Sequence, residues 1–302
     1  MKKITDNVFA RCCRVVAMFS LVLPMLAQSS VNAVKPNHDT TKPDTIKPNT
    51  TQPDTTKPKW EAGILVAAFH SSLYPASAQT QGKLLPVPFV IYRGERLRVG
   101  EGGVIKAMAI DKPRFKVDLS LGAAFNANSD DSSAREGMPD LDFIFEVGPQ
   151  VSFLLDDSEQ SETWFNLQFR KVFSTDFSKI DDRGYIFQPE IAYQGKGLLS
   201  ENDRFKLTFS PLFATKKTHQ YFYQVDNEFI TNERSAYHAG GGYLGSEITL
   251  VNRFVVRQDV SVFISTKLGF YTGASNEDSP LFKKDFNYDV GVGLKWTLFQ
   301  TN

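Results

Sequence analysis

PDLDFIFEVGPQVSFLLDD, residues 139–157, alternates with a period of two. Its odd positions from 141 to 155 read Leu141, Phe143, Phe145, Val147, Pro149, Val151, Phe153 and Leu155, with no polar side chain among them. The even positions read Asp142, Ile144, Glu146, Gly148, Gln150, Ser152, Leu154 and Asp156. Successive side chains of a strand point to opposite faces, so this is a strand with one apolar and one mixed face. It is long, since ordinary strands run about 5–6 residues. Pro149 sits in its middle, where a central strand normally excludes proline. The fold turns on whether the apolar face meets a protein core or lipid.

The same alternation recurs along the chain. Apolar residues take every second position over 115–125, 165–169, 185–193, 205–213, 260–264 and 286–298. Less regular candidates lie at 60–69, 85–93, 96–110, 219–225 and 243–252, separated by Gly, Asp, Asn, Ser and Lys clusters. No helical period of any length is apparent. Phenylalanine alone numbers 25, as β structure favours. Lys and Arg together number 34 and Asp and Glu 34, so no one-signed surface points to nucleic acid.

A soluble sandwich and a transmembrane barrel both consist of alternating strands. Several segments reach the roughly 9–11 residues that a tilted crossing needs. Aromatics mark strand ends (Phe115 and Phe125, Tyr185 and Tyr193, Phe286 and Trp296), as girdles at the two membrane interfaces would. The polar face carries charges of both signs. In lipid every backbone group must be paired, which requires a sheet without edges. The expectation is an all-β chain, a transmembrane antiparallel β-barrel of about twelve strands, alternatively ten. An even number would leave both termini in the periplasm. Loops at 71–83, 156–162, 197–203, 226–240 and 272–284 are expected to face outward.

The N-terminus supports export. Lys2, Lys3, Arg11 and Arg14 precede an apolar run over 15–27, and VNA (31–33) offers small residues before a cleavage site. MLA, ending at Ala27, is a second candidate site. Residues 1–33 therefore read as a signal peptide. Cys12 and Cys13, the only cysteines, fall within it. Residues 34–59 repeat Lys/Gln-Pro-Asp/Asn-Thr units, too proline-rich for helix or sheet, and read as an extended periplasmic spacer. Residues 60–302 form the barrel.

Three blocks carry a family resemblance: LLPVPFVIYRGERLRVGEGG (84–103), AREGMPDLDFIFEVGPQVSF (134–153) and YDVGVGLKWTLF (288–299). They resemble the MipA/OmpV family of Gram-negative outer-membrane proteins, and the layout is similar from about residue 60 to 299. The resemblance implies an outer-membrane barrel that is not an enzyme. It also implies a scaffold bringing a lytic murein transglycosylase together with a penicillin-binding protein. Other members of the family are described as adhesins, immunogens or porin-like proteins.

No catalytic arrangement is apparent, and no cofactor is expected. The four histidines (His38, His70, His219, His238) lack metal-ligand spacing and read as solvent-facing or girdle residues. Asp130, Asp131, Asp140 and Asp142 crowd one loop without the spacing of a known calcium loop. The charges on the polar face are more informative. Asp118, Glu146, Arg170, Glu190, Arg204, Lys206 and Lys295 are expected to point into the lumen. In a narrow barrel they must pair or keep water. They would make either an internal salt-bridge network or the selectivity lining of a small channel.

Overall fold

The computed structural model describes residues 60–93, 97–99, 106–107 and 111–301, so the expected signal peptide and spacer lie outside the described residues. One antiparallel sheet contains β1 (Trp60–Ser72), β2 (Thr80–Arg93), β3 (Leu97–Val99), β4 (Lys106–Ala107), β5 (Asp111–Lys112) and β6 (Phe115–Ala124). It continues with β7 (Phe143–Asp157), β8 (Ser161–Thr175), β9 (Ile180–Lys196) and β10 (Asp203–Ala214). A helix, α1 (Lys216–Tyr223), precedes β11 (Gly242–Val255), β12 (Val260–Phe270) and β13 (Phe286–Thr301). Among the described residues ten strands have ten or more residues, and β3, β4 and β5 have two or three.

Neighbours in sequence are neighbours in the sheet, which runs from β4 through β1 and β13 to β5. The turn of the wall from β1 to β13 pairs Trp60 with Thr301, so the two ends of the barrel domain lie side by side. The sheet curls until β4, near one margin, approaches β6, near the other.

The faces are inverted relative to a water-soluble protein. On β13 Tyr288, Val292 and Trp296 are 52%, 51% and 49% exposed, whereas Asn287 between the apolar positions is 6% exposed. On β8 and β9 Phe169, Phe187 and Ile191 point out, while Asn166, Gln168, Arg170, Gln188 and Glu190 are buried. Exposed apolar surface costs about 25 cal/mol per Å² in water. A belt of it around many strands is stable only where lipid replaces water. The outward apolar face answers the question that residues 139–157 pose.

One part of that stretch departs from the expectation. Leu155 is 53% exposed, but Phe143 is only 3% exposed. Phe143 packs in one cluster with Leu65, Ala67 and Val87, which are buried on β1 and β2. Nearby, the Phe69 and Phe125 rings lie 5.6 Å apart. In that cluster residues of β1 and β2 pack with the start of β7, so protein rather than lipid covers that end.

The prolines within these strands do not make bulges. In β7–β8, Val147 pairs with Lys171 and Gln150 with Gln168, with no pair at Gly148 or Pro149 between them. In β9–β10, Phe209 pairs with Ile191 and Phe213 with Phe187, and the skipped positions hold Pro189 and Pro211. Register is the same on both sides of each gap. The missing N–H groups are thus grouped where two strands forgo pairing together, instead of leaving partners orphaned singly.

Two loop expectations change. Strand direction puts residues 73–79, 125–142, 215–241 and 271–285 at the end opposite Trp60 and Thr301. Residues 158–160 and 197–202 turn at the same end as Trp60 and Thr301, so 156–162 and 197–203 do not share a side with the other expected outer loops. The expected strand at 219–225 is largely the helix α1. Two helical turns are too short to show a period, and the aromatic Tyr221–Tyr223 run mimics a strand.

The end away from the termini is closed by an apolar plug. Phe222, Tyr223 and Val225 from α1 and its exit pack with Leu73, Tyr74, Ile144 and Leu281 from the surrounding loops and wall. Gly245 has φ +153°, and a Cβ there would lie 2.5 Å from the Tyr271 ring. Only glycine lets β11 approach the Tyr271 ring so closely.

Candidate functional site

Alternation sends one residue in two of each strand into the barrel interior, and cross-strand register decides which of them meet. Glu146 on β7 and Arg170 on β8 form the most enclosed ion pair, with Nε to Oε2 at 2.7 Å and side chains 14% and 6% exposed. Arg170 also donates through Nη1 to Ser120 at 3.2 Å and to Gln168 Oε1, and through Nη2 to Gln188 Oε1. Gln188 Nε2 in turn donates to Ser210 Oγ at 2.9 Å. Five strands, β6 to β10, are tied through this one guanidinium. Its planar fork of donors suits arginine and not lysine.

Glu190 accepts from Asn166 Nδ2 at 2.8 Å and from Lys206 Nζ at 3.3 Å. Lys295 reaches Glu61 Oε2 at 3.1 Å and lies 4.7 Å from the centre of the Phe89 ring. Asp118 stands opposite Gln150 on β7, and Arg204 stands between Lys196 on β9 and Arg253 on β11. The seven residues named from sequence thus fall into separate groups on different strands. Among them Glu146 pairs with Arg170, and Glu190 with Lys206.

A further ion group was missed in the sequence. Lys267 on β12 lies 3.3 Å from Glu247 Oε1 on β11 and 3.0 Å from Asp289 Oδ2 on β13. Asp289 Oδ1 also accepts the Ser72 amide at 2.9 Å. Its signal was present: Asp289 occupies the polar phase of the last strand, and register places Lys267 opposite it. The apolar pattern blurs after Ile264, which hid Lys267.

His219 is not solvent-facing, contrary to the sequence reading. It is buried in the plug, where its Nδ1 lies 2.7 Å from Asn276 Nδ2 and its Nε2 lies 3.1 Å from the Gly242 carbonyl. Asn276 donates to Nδ1, which leaves the proton on Nε2 to reach Gly242. Burial holds His219 below its ordinary value of 6.5, and the bond to Gly242 partly opposes this. A depressed histidine is held neutral in the folded plug while the unfolded chain protonates near 6.5. Its stabilisation is therefore complete above that pH and declines as pH falls below it. Amide exchange in α1, corrected for intrinsic rates, is expected to be faster at about pH 5.5 than at about pH 7.5. Equal corrected rates would contradict this.

The acidic loop uses its carboxylates locally. Asp140 accepts the Ser129 amide at 2.7 Å, and Asp131 accepts Asn128 Nδ2 at 3.4 Å. Among the described residues no group of three or more His, Cys, Asp or Glu could hold a metal ion.

The sequence model of the family described as "MltA-interacting protein MipA" matches residues 64–298. The chain belongs to the MipA family. No curated protein matches it. Among solved structures, the NanC porin aligns at 11% identity over 78% of this chain and 100% of its own, with a TM-score of 0.35. The outer membrane protease OmpT from Escherichia coli aligns at 10% identity over 82% of this chain and 98% of its own, with a TM-score of 0.30. The toluene transporter TodX of Pseudomonas putida aligns at 9% identity over 83% of this chain and 71% of its own, with a TM-score of 0.25. MipA family membership and the inverted faces together make this protein an outer-membrane β-barrel.

Proposed function

We propose that this barrel is a non-enzymatic anchor that gathers cell-wall enzymes at the periplasmic side of the outer membrane. The observation that carries the reading is membership of a family described by its interaction with MltA. The partners would be a lytic murein transglycosylase and, with it, a penicillin-binding protein. Both termini would lie in the periplasm, with the spacer at 34–59 reaching from the membrane after removal of residues 1–33. The plug and the paired charges of the inner wall support this reading over transport. Charges on the inner wall pair between neighbouring strands, and an apolar plug packs at one end.

The contact face would be the end bearing Trp60, Thr301 and the short turns. A photo-crosslinking residue placed at Leu199, which is 70% exposed on the β9–β10 turn, is expected to capture a murein transglycosylase in intact cells. Capture of no cell-wall enzyme from that turn or its neighbours would sink the proposal.

A second reading, a narrow channel, draws on the continuous polar inner face, whose charges would set selectivity. It requires discrete conductance steps in planar bilayers that change with Glu146→Gln. The anchor reading expects a silent bilayer.

A further inference from the structure

Beneath the plug the interior is not filled. A cavity of about 450 Å³ opens there, bounded by the Glu146–Arg170 pair, the Lys267 group and apolar side chains of the plug and wall. That volume lies in the range of small-molecule sites, roughly 300–1,000 Å³.

The charges around it are unequal in number and in commitment. Asp142, Glu146, Glu247 and Asp289 line it against only Arg170 and Lys267. Every nitrogen of Arg170 already donates to a protein acceptor. Lys267 is held between its two carboxylates. A carboxylate can accept about four hydrogen bonds, whereas Glu146 accepts from Arg170 and Glu247 from Lys267. The cations are thus occupied and the anions retain acceptor capacity. The rest of the lining is mixed: polar side chains such as Gln81, Thr249 and Ser265 share it with an aromatic pair, Phe69 and Phe125, whose rings lie 5.6 Å apart. Carboxylates with acceptor capacity and an aromatic pair in one cavity suit a ligand with a donor cation at one end and an apolar body at the other.

We propose that this cavity is a binding site for a small amphiphilic organic cation, a primary amine carrying an aromatic-sized apolar group. The ammonium sits among Glu146, Glu247 and Asp289, and the apolar body lies against Phe69 and Phe125. This goes beyond the anchoring role and stands or falls separately from it, because binding is read on the purified barrel alone.

The test is calorimetry on the detergent-solubilised barrel with phenethylamine, 2-phenylethanol and phenylacetate as probes. The amine is expected to bind about tenfold tighter than the alcohol, the size of one charged hydrogen bond, and the phenylacetate weakest. Glu247→Gln is expected to weaken the amine about tenfold and leave the alcohol unchanged. Thr249→Phe, which fills the cavity and keeps every charge, is expected to abolish binding of both. Each variant's fold is checked by its heat-modifiable migration on gels. No binding of phenethylamine to the folded wild-type barrel, or equal affinity for amine and alcohol, overturns the proposal. So does undiminished amine binding by folded Thr249→Phe.

Discussion

Arg170→Ala is expected to destabilise the barrel by about 3–5 kcal/mol, the usual cost of removing one partner of a buried ion pair. The side chain is 6% exposed and its Nε lies 2.7 Å from Glu146 Oε2. Its loss leaves that carboxylate buried without its cation. It also strands the oxygen of Gln188, which Arg170 now satisfies, while Gln168 keeps the Ser120 hydroxyl. Desolvation of these groups, more than loss of the attraction itself, sets the size of the effect. Glu146→Gln combined with Arg170→Met is therefore expected to regain most of the loss, because no uncompensated charge remains. As a contrast, the Lys179–Asp181 pair is open to solvent, with side chains 65% and 36% exposed. Breaking that pair is expected to cost no more than about 1 kcal/mol. Urea unfolding in lipid vesicles measures all three. An Arg170→Ala loss no larger than the surface pair's would contradict the account of the interior.

Ile264→Arg is expected to cost about 2–4 kcal/mol, the penalty for arginine on the lipid face near the bilayer midplane. Ile264 is 46% exposed in the middle of β12, paired with Val292 of β13 and Asn252 of β11. On a water-soluble sheet an exposed isoleucine could accept arginine within about 0.5 kcal/mol. The substitution thus separates the two environments by a margin larger than measurement error. Unfolding from vesicles decides it, and unchanged stability would mean that the face is not in lipid.

The strands were legible because lipid and lumen impose the same two-residue period over ten or more positions, long enough to survive local noise. Residues 286–298 show this most clearly, and the wall-forming role of Phe286 to Leu298 follows from pattern alone. Pairing across strands was less legible. Glu146 and Arg170 could be assigned to the inner face, but only register makes them neighbours. Lys267 went unrecognised for the opposite reason: its partners on β11 and β13 give it meaning that its own segment does not. The plug was invisible to period counting. His219, Tyr223 and Leu281 are buried by loops that fold over one another, and such contacts follow no repeat. The coverage of Phe143 by β1 and β2 likewise depends on how far the sheet curls, which no single strand encodes.

The central claim, an apolar outer face in lipid around a polar interior, is tested most directly by neighbouring cysteines in one strand. With Cys12 and Cys13 replaced, Ile264→Cys and Ser265→Cys are each labelled with an environment-sensitive fluorophore in lipid vesicles. The account predicts strong quenching of the label at 264 by nitroxide lipids and little at 265, with the reverse order for a water-soluble quencher. Equal lipid quenching at the two positions, or stronger quenching at 265, would contradict it.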